Sequence, residues 1–231
     1  MALRRQAGGA EARICDAIRA AVLERRMAPG TKLQEIALGR FFGVSRTIVR
    51  QALRRLDHEG VVALREKRVA VVAHPSASEV RHTFAARRAI ESAAAEAAAV
   101  QLAKADVAAL RRLVRQENAA YARGDRARAL ALSLEFHHRI ADGSGNPVLA
   151  RYARELVLKS SLAIALYEKA GLPHTHAGHG ALVDALAKRD ARRAAALMAA
   201  HIDELASRLA LDGPGPAPSL EEMLGRARGA G

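Results

Sequence analysis

The sequence predicts a mostly α-helical protein in two parts: a small basic N-terminal module closed by a β-hairpin, then a longer all-helical bundle. Three observations carry that prediction. Half of the 231 residues are hydrophobic, enough to build a core. Aromatic residues make up only 3%, fewer than a β-sandwich or barrel ordinarily uses. From Ser78 to Leu211 apolar residues recur at helical spacing through Ala-, Leu- and Arg-rich stretches. A chain of this length accommodates one large domain or two small ones.

Taken in order, residues 1–10 (MALRRQAGGA) read as a flexible arm. Residues 11–26 form an amphipathic helix with Ile14, Ile18, Ala21 and Val22 on one face. Pro29-Gly30 is a turn. A short helix over 34–42 ends at Gly43, and Ser45 caps a third helix over 46–58. That helix turns Val49, Ala52, Leu53 and Leu56 inward, and Gly60 follows it. Two β-branched runs, 61–64 and 69–73, are joined by Arg65-Glu66-Lys67-Arg68 and read as a hairpin. His74-Pro75-Ser76 is a linker. Residues 76–211 then hold helices near 78–102, 106–122, 125–142, 147–170, 177–188 and 190–211. The Pro- and Gly-rich tail, 212–231, cannot continue a helix and reads as flexible.

Composition excludes some functions. No run of 18 uncharged apolar residues is present, so no membrane-spanning helix is expected, and the N-terminus lacks the apolar core of a secretory signal. A single cysteine, Cys15, fits a reducing cytoplasm and reads as a small buried hydrophobe. The net charge is +13 and unevenly spread: residues 1–75 carry 15 Lys and Arg against 7 Asp and Glu. A basic module joined to a more balanced one points to a polyanionic partner at the N-terminal end, although solvated surface arginines would give the same count.

The order helix, helix, turn, helix, basic hairpin over 11–75 is that of a winged helix-turn-helix. Its third helix carries Arg46, Arg50 and Arg54 at i, i+4 and i+8, one stripe opposite the apolar face. Ser45, Arg46 and Thr47 lie at its N-terminus, where unpaired backbone N–H groups attract phosphate. A helix entering the major groove by that end offers these side chains to base edges, and Arg grips guanine bidentately. Arg65, Lys67 and Arg68 in the hairpin can reach flanking phosphates. Residues 33–62, LQEIALGRFFGVSRTIVRQALRRLDHEGVV, resemble the GntR family of bacterial transcription regulators, most closely from Phe42 to Thr47. That resemblance places DNA contacts on Ser45, Arg46, Thr47 and Arg50. Ile48, Gln51 and Val69 depart from it, standing where many members have Pro, Glu and a wing Gly.

In the second part His137, His179 and His201 stand on three different predicted helices. Separately they would be surface or hydrogen-bonded residues; facing inward together they could converge on zinc, nickel or a similar ion. Phe136-His137, Gly145-Asn146-Pro147, Gly178-His179 and Met198 to Ile202 resemble the FCD-like effector domain of FadR-type GntR regulators, as does RRAIE, Arg87 to Glu91. Many members hold a divalent metal through one Asp and three His. The Asp position, one turn before the first His, is Ser133 here, so the resemblance carries over only the three histidines as ligands. It also implies effector contacts at Arg87 and Ser133, with the Arg fork suiting a carboxylate; a surface ion pair between Arg87 and Glu91 would explain the same residue. His138 should point to the surface, and His174 and His176 fall in an exposed loop or lid.

The expectation is a cytoplasmic, homodimeric, ligand-responsive transcription regulator. Its partners would be double-stranded operator DNA and a small carboxylate effector, with a divalent metal at the histidines. It would act as a repressor rather than an enzyme and touch no membrane. Two alternatives remain: a metal-free regulator whose histidines bind an anion directly, and a His-metal hydrolase, for which Glu135 would be the nearest base and no HExxH motif exists.

Overall fold

The structure, a computed structural model, describes residues 2–24, 26–64, 69–168 and 177–211; of residues 2–8, 126, 127 and 177 it describes the backbone alone. The tail 212–231, the hairpin tip with Arg65, Lys67 and Arg68, and the loop with His174 and His176 lie outside the described residues.

The N-terminal part consists of α1 (Ala2–Leu23), β1 (Lys32–Leu33), α2 (Glu35–Phe42), α3 (Arg46–His58), β2 (Val62–Ala63) and β3 (Ala70–Val72). Residues 2–10, expected as part of an arm, are instead the first turns of α1. The Ala, Arg and Gln of this segment are strong helix formers, and a helix already nucleated further along extends through them. Gly43 ends α2 in the left-handed region at φ 65°, the conformation that makes glycine suitable there. β3 pairs antiparallel with both neighbours, in the order β1-β3-β2. The two-residue β1 escaped the sequence because it is too short to show an alternation. Ile14, Ile18, Val22, Val49, Leu53, Leu56, Val62 and Val72 close the core over this sheet. Cys15 is buried there and its thiol is pushed up to about 11, chiefly by burial.

The second part holds α4 (Ala77–Gln101), α5 (Lys104–Ala122), α6 (Arg126–Gly143), α7 (Pro147–Tyr167), α8 (Ala177–Ala187) and α9 (Ala191–Ser207). Local chemistry fixes their starts. Ser76 and Glu79 form a capping box on α4. Asn146 accepts from the backbone N–H of Val148 and Leu149, with Pro147 in the first turn of α7. Asp125 and Asp190 cap α6 and α9. The bundle core runs through Phe84, Leu110, Phe136, Ile140, Leu182, Leu186 and Met198.

The two parts are packed together along α7. Leu158, Leu162 and Leu166, one stripe at i, i+4 and i+8, join the core of the N-terminal part, and Leu162 is fully buried in it. The Tyr167 hydroxyl donates to the Pro75 carbonyl at 2.6 Å. No helix among the described residues is long and apolar enough to cross a membrane.

Candidate functional site

Two places gather the chemistry. The first is the outer face of α3. Its apolar side is buried, so Ser45, Arg46, Thr47, Arg50 and Arg54 are all left exposed. Ser45 occupies the N-cap position, but its side chain makes no capping hydrogen bond. Sequence reasoning missed a residue of this face: Glu35, at the start of α2. Its carboxylate accepts from Arg50 Nε at 2.8 Å and from Arg46 Nη2 at 3.2 Å. The hydrogen bond from Arg50 is the largest effect on the Glu35 carboxyl and, with the bond from Arg46 and the charges of both, holds it below the usual range against the opposing effect of burial. The arginines are thereby set side by side before any duplex arrives.

The second place lies inside the bundle. His137 on α6, His179 on α8 and His201 on α9 are buried, and each offers a ring nitrogen within 4.8 Å of the others. His179 Nε2 and His201 Nε2 are 3.1 Å apart. The rings stack: Phe136 lies on His179 at 4.1 Å between centroids, and His137 on His201 at 5.3 Å. Gly178 permits the approach of α8 to α9, because a Cβ there would sit 3.3 Å from His201 Nδ1.

Two carboxylates stand behind these rings. Glu91 Oε2 is 2.5 Å from His137 Nδ1, and Glu117 Oε2 is 2.8 Å from His179 Nδ1. Both acids are buried. Burial, the largest single effect, would raise the Glu91 carboxyl; the Arg87 guanidinium and His137 beside it together outweigh burial and bring it down to about 2. Burial pushes His137 down to about 4, so it is neutral near pH 7. A neutral ring facing an ionised carboxylate through Nδ1 must carry its proton on Nδ1. Its Nε2 therefore presents a lone pair, and that atom is buried without a hydrogen-bond partner.

Such a donor set fits a divalent ion. Zinc–imidazole bonds of about 2.0–2.1 Å place neighbouring ligand nitrogens roughly 3.0–3.4 Å apart, which matches the His179–His201 pair. Neutral imidazoles oriented by carboxylates are the usual form of a histidine metal ligand. Ser133, one turn before His137, is buried but supplies no carboxylate.

Beside the histidines is a cavity of about 500 Å³. Arg87, Ser133 and His137 all line it, so the structure brings together the two residues expected at an effector and one expected at a metal. Arg87 is not at the surface. It is 2% exposed, donates through Nε to Glu91 and through Nη1 to Ser160 Oγ at 2.8 Å. The lining also includes Leu23, Glu24 and Arg26, from the end of α1 and just beyond it. His138, expected at the surface, is half-buried, with its Nε2 unpaired and its ring held below the ordinary range by burial. Glu135 faces outward into an ion pair with Arg139 at 2.7 Å, away from the histidines.

Sequence reasoning also passed over Glu117. A signal existed: on α5 it falls in the stripe Leu110, Leu113, Val114, Ala120, an acid on an apolar face. Glu91 stands likewise in the buried stripe Phe84, Arg87, Ala94, Ala95, Ala98 of α4.

The FCD domain model matches residues 82–204, and the model of bacterial regulatory proteins of the gntR family matches residues 10–72. This chain belongs to the GntR family and carries an FCD domain. It is a DNA-binding transcription regulator, and the helical part just described is its effector-binding type of domain. Among its relatives, the Uxu operon transcriptional regulator of Escherichia coli (strain K12) is 27% identical over 218 residues, 83% of each chain. The Uxu operon regulator of Haemophilus influenzae is 26% identical over 186 residues, 73% of this chain and 69% of that one. Of solved structures, E. coli McbR/YncC superposes with a TM-score of 0.74 at 20% identity, covering 84% of this chain and 94% of that one. A GntR regulator from Rhodococcus sp. RHA1 gives 0.72 at 21% identity, covering 85% and 95%. These two likenesses show the fold. The relatives are regulators, not enzymes.

Proposed function

We propose that this GntR regulator is a cytoplasmic homodimer that binds a pseudo-palindromic operator and is released from it by a small organic acid. In this reading residues 11–75 form the DNA-binding domain, residues 76–211 the effector domain. Ser45, Arg46, Thr47, Arg50 and Arg54 meet the major groove, with Arg65, Lys67 and Arg68 of the hairpin on flanking phosphates. One recognition helix reads few base pairs, so a two-fold pair of chains is needed for a specific site.

His137, His179 and His201 hold a divalent ion of the zinc or nickel type. The ion supplies a Lewis-acidic anchor for an effector carboxylate. Arg87, kept in place by Glu91 and Ser160, adds a cation in the cavity wall, and Ser133 adds a hydroxyl. One observation supports the linkage most directly. The cavity is lined by both parts of the chain, Arg87, Ser133 and His137 from the bundle and Leu23, Glu24 and Arg26 from the N-terminal part. A ligand there has different contacts whenever α1 moves relative to the bundle, and a differential contact is what couples two sites.

The test is a thermal-shift screen of the full chain against small mono- and dicarboxylates and sugar acids, with and without Zn(II) or Ni(II), followed by an operator gel shift with each hit. We expect a stabilising acid whose effect is larger with metal and which weakens the DNA complex. Stabilisation that is indifferent to metal would favour direct anion binding by the histidines. No stabilising acid under either condition would overturn the effector reading.

A further inference from the structure

We propose that Glu91 and Glu117 are positioning residues for the metal, and that their charges stand in for the carboxylate ligand that Ser133 does not provide. The inference rests on the three-histidine reading above. Each acid belongs to a helix that contributes no ligand, Glu91 to α4 and Glu117 to α5. Each meets the Nδ1 of a different histidine, at 2.5 and 2.8 Å. Each contact leaves the Nε2 of its ring off the carboxylate: His179 Nε2 lies 3.1 Å from His201 Nε2, and His137 Nε2 is buried without a hydrogen-bond partner.

The geometry serves two purposes. A carboxylate accepting from Nδ1–H fixes the tautomer, so the ring cannot present an N–H to a cation. It also balances charge. Three neutral imidazoles leave a divalent ion with its full charge in a low-dielectric interior, where uncompensated charge is costly. Two buried carboxylates directly behind two of the ligands lower that cost without touching the ion. Glu91 has a second duty, because its other oxygen takes Arg87 Nε. One carboxylate thus ties the cationic side chain of the cavity wall to a metal ligand. Glu117 meets the ring of His179 through Oε2, from a helix that contributes no ligand, and is the position to test.

Two substitutions separate orientation from charge. Glu117→Gln keeps an oxygen that can accept from Nδ1–H but removes the charge. Glu117→Ala removes both. The experiment uses the full chain and Co(II), whose visible bands report ligand number, with affinity read by competition against a chelator and folding checked by circular dichroism. Long-range proton–nitrogen spectra of the metal-free protein report the His179 tautomer. We expect tight Co(II) binding by the wild type, about 10–100-fold weaker binding by Glu117→Ala, and an intermediate loss for Glu117→Gln. His179 should be the Nδ1–H tautomer in wild type and in Glu117→Gln, and a mixture in Glu117→Ala.

If the wild type takes up no Co(II), the metal reading falls and this proposal with it. If the wild type binds but both variants match it within about two-fold, the positioning role is overturned while the metal reading stands. Should Glu117→Ala fail to fold, the isosteric Glu117→Gln decides alone: wild-type affinity in that variant overturns the charge role.

Discussion

The outer face of α3 and the histidine centre are opposite solutions to the same problem of placing charged chemistry. On α3 the groups proposed to meet DNA point into water. Their backbone carrier is held by a buried apolar stripe, Val49, Ala52, Leu53 and Leu56, and the arginines themselves carry none of the fold. In the bundle the functional groups are the core. His137, His179, His201, Arg87, Glu91 and Glu117 are buried, and each polar atom must find a partner or leave a cost. Reading a duplex calls for side chains that can move and exchange water for phosphate. Holding an ion or a small anion calls for groups fixed in advance and screened from water. Substitutions should therefore separate cleanly: those on α3 should change binding and leave stability alone, whereas those in the bundle should change both.

The most severe trial of that separation is Leu162, where the two regions meet. It belongs to α7, a bundle helix whose other side includes Val157, Ser161 and Ile164 of the cavity wall, yet it is buried in the core of the DNA-binding part. Leu162→Ala should lose about 2–5 kcal/mol by removing a buried side chain and leaving a void. Chemical denaturation followed through probes in each part would check it. We expect both parts to lose stability together. Loss confined to the N-terminal part would mean that α7 does not couple the two.

Arg46→Ala should cost less and should touch binding alone. Its guanidinium is solvent-exposed and pairs with Glu35, so its removal should leave the stability within about 0.5 kcal/mol of wild type. Specific operator binding should fall by about 1–3 kcal/mol. Unchanged operator affinity would displace the recognition face from α3. A loss of stability as large as the loss of binding would erase the contrast between the two regions.

The same contrast decides what could be read in advance. The arginine stripe and its buried counterpart are a local pattern, three residues at i, i+4 and i+8 on one helix, and periodicity alone displays it. The start of α7 was equally legible, since Asn146-Pro147 carries its own start signal. The histidine centre is not local. His137 and Glu91 lie 46 residues apart, His179 and Glu117 62 apart. The resemblance supplied the histidines, but the acids behind them depend on how α4 and α5 pack against α6 and α8. What the sequence does contain is the anomaly of an acid on an apolar stripe, at Glu91 and Glu117. Glu35 was missed for another reason: an exposed acid at a helix start is ordinarily explained by the helix dipole, and its reach to a neighbouring helix appears only when α2 and α3 are placed.

Glu35 gives the smallest and most discriminating effect. It is the one acid bonded to the arginine stripe among the described contacts, through Arg46 and Arg50. In the free protein it sets the two guanidiniums side by side. In the proposed DNA complex its charge would oppose the phosphates that those guanidiniums approach. Removing the charge without changing the shape, Glu35→Gln, should therefore act in two directions. Affinity for random-sequence duplex should rise a few-fold, because a repulsion is gone and the arginines are free to find phosphates. Preference for the operator should fall, because arginines that are no longer pre-set spend more freedom in reaching base edges. Fluorescence anisotropy against operator and scrambled duplexes over a salt series measures both. Since the carboxyl is held below its usual range, it stays ionised in the wild type from pH 6 to 8, and the difference between the two proteins should not vary over that window. Equal affinities for both duplexes in both proteins would mean that Glu35 merely occupies the surface, and that the exposed face is no more pre-arranged than a row of solvated side chains.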